Sequence, residues 1–95
     1  MATKEKEISR GKEAHRIIDD DLFKEAFVDL KKIYMEEWEN SPARDQEARE
    51  SLWMAIKMLG AVKDHLTTIM ETGKLADRQL EEMARESSAM RGVAK

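Results

Sequence analysis

Between Leu22 and Trp38 the apolar residues return at helical intervals. Phe23, Phe27, Leu30, Tyr34 and Trp38 are spaced 4, 3, 4 and 4. Ala26 and Ile33 flank this stripe, and Lys24, Glu25, Lys31, Lys32 and Glu36 fall on the other side. The pattern predicts an amphipathic helix over about 20–39 with an aromatic-rich face. A longer series follows. Ala48, Leu52, Ala55, Leu59, Val62, Leu66 and Ile69 alternate spacings of 4 and 3, which is a heptad repeat. Trp53, Ile56, Gly60 and Met70 run beside it, so the predicted apolar face is wider than the seam of a two-stranded coiled coil. A face this wide can meet one helix of its own chain and another from a second copy. Ala55, Gly60 and Ala61 are small enough to let a partner helix come close.

Punctuation divides the pattern. Asn40-Ser41-Pro42-Ala43 reads as a turn, with Ser41 as N-cap and Pro42 at the first helical position, where its missing N–H costs nothing. A connection this short favours an antiparallel hairpin. Glu71-Thr72-Gly73 predicts the end of the second helix, with Gly73 as a left-handed C′ residue. Leu75, Ala76, Leu80 and Met83 then suggest a short final helix. Upstream, helical pattern starts near Glu13 with Ala14, Ile17 and Ile18. Asp19-Asp20-Asp21 interrupts it, since aspartates suit caps better than helix interiors. Two helices and one bent helix are both compatible with that triplet. The expected class is all-α: an antiparallel hairpin of about 20–39 and 42–72 with short flanking helices. The expected organisation is a flexible mixed-charge arm over 1–12, a single helical domain over 13–86 and a flexible tail over 87–95.

Composition sharpens the picture. In a chain of 95 residues Leu, Ile, Val and Phe number only 18, few for a self-sufficient core. Charged residues make up 39%, yet the net charge is −3, which is not the charge excess of a disordered chain. The charge is uneven. Residues 1–16 carry a net +2, residues 17–50 a net −6 and residues 51–95 a net +1. An acidic middle repels phosphate, so any nucleic-acid contact falls to Lys4, Lys6, Arg10, Lys12 and Arg16. Those five alternate with Glu5, Glu7 and Glu13, the pattern of a solvated segment more than of a binding face.

The chemistry-bearing residues are sparse. Zero Cys excludes disulfides, thiolate metal sites and Cys nucleophiles. His15 and Asp19 have i,i+4 spacing but no third ligand, so neither metal nor cofactor is expected. Gly73-Lys74 lacks the partner glycine of a phosphate loop. No nucleophile, base and orienting group recur together, so no enzyme is expected. The charged run Met1–Glu7 is unlike a signal peptide, and no apolar run reaches membrane-spanning length.

The central expectation is self-association. A 30-residue helix overhangs a 20-residue one by about 15 Å at about 1.5 Å per residue, so the shorter helix cannot cover it. Phe23, Phe27, Leu30, Tyr34, Trp38, Leu52, Trp53, Ile56, Leu59, Val62, Leu66 and Ile69 are the expected core and oligomer interface. Met54, Met58, Met70 and Met83 could line an adaptable partner groove.

Ile17-Ile18-Asp19-Asp20-Asp21-Leu22-Phe23-Lys24-Glu25-Ala26-Phe27, then Asn40-Ser41-Pro42-Ala43-Arg44-Asp45 and Glu71-Thr72-Gly73-Lys74-Leu75, resemble stretches of short helical proteins of tailed bacteriophages. About two-thirds of the chain is covered, and no motif within it marks a chemistry. The resemblance implies a role in the phage head or in DNA packaging, such as that of a small terminase subunit. Those subunits are helical and ring-forming, recognise viral DNA and stimulate the large terminase ATPase. It therefore implies phage DNA, the large terminase or other virion proteins as partners, and the host cytoplasm or the virion as location. The helix-turn-helix of many small terminases is not legible here, which leaves DNA contact to the N-terminal basic residues.

Overall fold

A computed structural model describes residues 3–93, with side chains described to residue 89. It contains three helices and no strand among the described residues: α1 (Lys4–Ile18), α2 (Asp21–Asn40) and α3 (Gln46–Val93). The all-α expectation holds.

Local chemistry sets each boundary. Thr3 caps α1, its Oγ1 accepting from the Lys6 N–H at 3.2 Å. Glu5 and Glu7 in the first turn and His15 and Arg16 in the last complement the helix dipole. Residues 4–12, expected in the flexible arm, are therefore helical; Met1 and Ala2 lie outside the described residues. The aspartate triplet makes two helices. Asp19 and Asp20 close α1 by donating to the His15 and Ile17 carbonyls, and Asp20 Oδ1 caps α2 by accepting from the Phe23 N–H at 2.9 Å.

The turn after α2 differs from expectation. Ser41 closes α2, with its N–H and its hydroxyl both donating to the Trp38 carbonyl, at 3.3 and 2.6 Å. Asp45 caps α3, its Oδ1 accepting from the Ala48 N–H at 3.2 Å. Pro42 lies in the turn, and α3 begins four residues later at Gln46. Ser41 stands four residues before Asp45, too far back along the chain to reach the first N–H groups of α3.

The larger correction concerns Gly73. No described glycine has positive φ, and α3 runs straight through this position to Val93. The expected stop at 72, the separate final helix and the frayed tail from 87 are replaced by one helix of 48 residues. Residues 94 and 95 of that tail lie outside the described residues. Gly73 is needed for proximity. A Cβ on it would stand 2.8 Å from the Gly11 Cα and from the Glu7 carbonyl oxygen. Ala14 and Ala76, one helical turn further along each chain segment, are the only buried hydrophobic residues described, at 3% and 1% exposure.

The pairings run in opposite directions along α3. Lys4 Nζ donates to Gln79 Oε1 at 2.7 Å, Gly11 meets Gly73, and Trp38 meets Arg49. The molecule is a rod of 78 × 25 × 17 Å with a radius of gyration of 21.4 Å. A compact chain of this length would have a radius near 12 Å. Its accessible surface is 7828 Å², against about 5,600 Å² for a compact 11.0 kDa monomer. A rod only two helices thick has no interior in which to hide large side chains.

Candidate association surface

The stripe predicted on α2 does face α3. Phe23, Phe27 and Tyr34 are half-buried, and the two phenylalanine rings pack with centroids 4.5 Å apart. Leu30 and Trp38 stay exposed at the margin of the stripe. On α3, Leu52, Ile56, Leu59, Leu66 and Ile69 are half-buried, whereas Val62 and Trp53 are exposed. No residue of α2 is fully buried. The twelve predicted positions therefore split between the intrachain contact and the open surface.

The turn end is held by Arg49. Its guanidinium lies 4.0 Å from the centre of the Trp38 ring. Its Nη1 donates to the Trp38 carbonyl at 3.1 Å and to Ser41 O and Oγ at 3.3 and 3.0 Å. One cation thus bonds to two carbonyls at the end of α2 and covers an aromatic face. Arg49→Ala should lower unfolding free energy by about 1.5–3 kcal/mol, the range for hydrogen bonds to a charged group. Urea titration followed by Trp fluorescence measures it.

The rod has two flanks of different character. On one, Val28, Lys31 and Trp38 of α2 lie beside Arg49, Glu50, Trp53, Ile56, Gly60, Lys63 and Asp64 of α3, with Ala61 at the edge it shares with the other flank. Lys57 Nζ sits 5.1 Å over the Trp53 ring on this side. The flank is apolar at its floor and charged at its rim, with Lys31, Lys57, Lys63 and Arg49 beside Glu50 and Asp64. Of the opposite flank, only Met54, Met58 and Ala61 were expected to meet a partner. That flank carries a second heptad series on α3, offset from the one that meets α1 and α2. Ser51, Met54, Met58 and Ala61 form its first half, and Thr68, Thr72, Leu75 and Gln79 its second, around His65. These nine positions repeat at spacings of 3 and 4, and all but Gln79 are exposed. None is Asp, Glu, Lys or Arg. Every such residue of α3 between 51 and 79, from Lys57 to Arg78, lies elsewhere on the helix. Polar Ser, Thr, His and Gln hide this series from a hydrophobicity scan. Its signal is the absence of charge at heptad spacing.

The predicted basic residues do not converge. At 3.6 residues per turn, Lys12 and Arg16 lie on one side of α1 and Lys6 and Arg10 about 120° away. Lys4 is committed to Gln79, and Arg16 pairs with Glu13 at 2.8 Å, which raises the guanidinium pKa. Among the described residues there is no group of three or more His, Cys, Asp or Glu able to hold a metal ion, and no helix long and apolar enough to cross a membrane. Buried polar side-chain atoms without a partner are likewise absent among them. The fold and surface define an elongated all-helical protein with exposed apolar flanks. The chain matches no protein family, no curated protein and no solved structure.

Proposed function

We propose that this protein is a non-enzymatic helical hairpin that works as a homo-oligomer. One observation carries the reading: the large apolar side chains lie open on the rod. Leu22 is 73% exposed, Met58 59% and Trp53 52%, and Val28, Ile33, Met35, Met54, Val62, Leu75 and Met83 are exposed with them. Monomeric proteins rarely expose contiguous apolar surface on this scale. A chain of this size gains the missing burial by association. At about 25 cal/mol per Å² of apolar surface removed from water, covering even a few hundred Å² is worth several kcal/mol, comparable to the whole stability of a small domain.

The setting we propose for such an assembly is phage DNA packaging, as a small-terminase-like subunit in the host cytoplasm. What supports it is the sequence likeness over Ile17–Leu80. Its partners would then be viral DNA and the large terminase. The scattering of basic residues around α1 favours the alternative, a structural or adaptor protein of the capsid or tail.

Sedimentation equilibrium at micromolar concentration tests the assembly. A mass that is a multiple of 11.0 kDa is expected; a folded, stable monomer overturns it. Duplex-DNA binding that weakens with salt, and is lost when Lys4, Lys6, Arg10, Lys12 and Arg16 become Ala, is expected of a packaging subunit. Absence of DNA affinity together with retention in purified virions would move the role to the capsid or tail.

A further inference from the structure

We infer that the uncharged flank of α3, from Ser51 to Gln79, is the surface on which a second copy of this chain packs, joining two hairpins into a four-helix bundle. The inference rests on the association reading above and says which face associates. The stretch spans about 42 Å at about 1.5 Å per residue. A helix exposed to water along that length has no reason to exclude charge from one side. A helix meeting another helix does, because an ionised group taken out of water without a partner opposes the contact. The series has the same heptad period as the contact with α1 and α2, so a neighbour that follows the same supercoil stays in register with it throughout.

The flank is broadened by α2. Leu22, Ala26 and Ile33 lie on the side of α2 away from Val28, Lys31 and Trp38, next to this series. α3 is about 10 Å across over about 42 Å, and α2 widens the first half of this strip, so each copy offers about 600 Å², the low end of a standard stable interface. The polar members suit burial. The Thr68 hydroxyl already donates to the Asp64 carbonyl at 3.0 Å, so it would present its methyl group and leave no donor orphaned.

The occupant follows from charge and length. The neutral stretch is bounded in the series by Glu47 and Glu82. A second copy brings a stretch of the same length and the same neutrality. A two-fold axis near His65, its midpoint, lays one over the other from end to end. The opposite flank cannot serve equally. Self-pairing there would take Lys31, Lys57, Lys63 and Asp64 out of water, a cost that the uncharged series does not carry.

The native chain has no cysteine, so single cysteines report contact cleanly. His65→Cys, Asp64→Cys and Gly60→Cys would be treated with a short bis-maleimide at micromolar concentration. Asp64 and Gly60 both lie along the lysine flank, and a Cβ at Gly60 meets nothing within 4 Å. Covalent dimer from His65→Cys, well above that from the other two, is the expected result. Thr68→Glu, at an exposed position, should weaken association at least tenfold by sedimentation while helicity by circular dichroism is kept. Oligomers that cross-link through Gly60→Cys or Asp64→Cys and not His65→Cys, or that tolerate Thr68→Glu, overturn this face and leave the association reading standing. A wild-type chain that sediments as a folded monomer overturns both.

Discussion

Gly73→Val should release α1 from α3 and lower the unfolding free energy by about 3 kcal/mol, the upper part of the range for overpacking a close contact. The first carbon alone makes the conflict. It would stand 2.8 Å from the Gly11 Cα and from the Glu7 carbonyl oxygen, and both are backbone atoms that no rotamer change can move. Valine adds two methyl groups to that position. Helix propensity works the other way, since replacing an interior glycine by a better helix former gains up to about 1 kcal/mol. Gly60 separates the two effects. A Cβ there meets nothing within 4 Å, so Gly60→Ala should raise stability by about 0.5–1 kcal/mol. Urea unfolding followed by circular dichroism measures both variants, and hydrogen exchange locates the damage. Protection over Lys4–Ile18 should collapse in Gly73→Val while that of α2 survives. An unfolding curve unchanged by Gly73→Val would remove the helix crossing from the account of this fold.

The thermal midpoint of the wild-type chain should climb with protein concentration. The intrachain contact buries two alanines fully and large side chains only in part. If association supplies the rest of the burial, unfolding and dissociation are one event, and mass action links the midpoint to concentration. A tenfold dilution removes about 1.4 kcal/mol from each contact between two copies. For a domain of this size the midpoint moves about 4–8 °C per kcal/mol, so the drop should reach several degrees per tenfold dilution. Differential scanning calorimetry over two decades of concentration reads it directly. A midpoint that does not move means that one copy is stable on its own, and the assembly reading falls.

The elements most legible in advance were those whose signals act over a few residues. The stripe Phe23, Phe27 and Tyr34 lies against α3 because a spacing of 3 and 4 puts those side chains on one side of any α-helix. The aspartate triplet was readable as a break but not as a choice between a bend and two helices. The Asp20 side chain made that choice by turning to the Phe23 N–H. Ser41 was misplaced because a serine between two helices can finish the first or start the second, and the nearby Trp38 carbonyl and Arg49 decided the matter. The uncharged series on α3 was legible in principle. Only Met54, Met58 and Ala61 of it stand out by composition, because its threonines and serine look like ordinary surface.

Composition and periodicity by themselves determined that this chain is helical, where its apolar stripes lie and that it has too little greasy side chain to make a thick core. Those properties follow from neighbours along the backbone and from the residue inventory. Only the tertiary structure decided what Gly73 is for. A glycine in a helical run can end the helix or admit a neighbour, and the two uses look the same until Gly11, 62 positions away in the chain, is found against it. That contact turned a predicted stop into the middle of a 48-residue helix and drew residues 4–18 onto it. The physical reason is that close approach belongs to two backbones at once, and no local pattern records the second one.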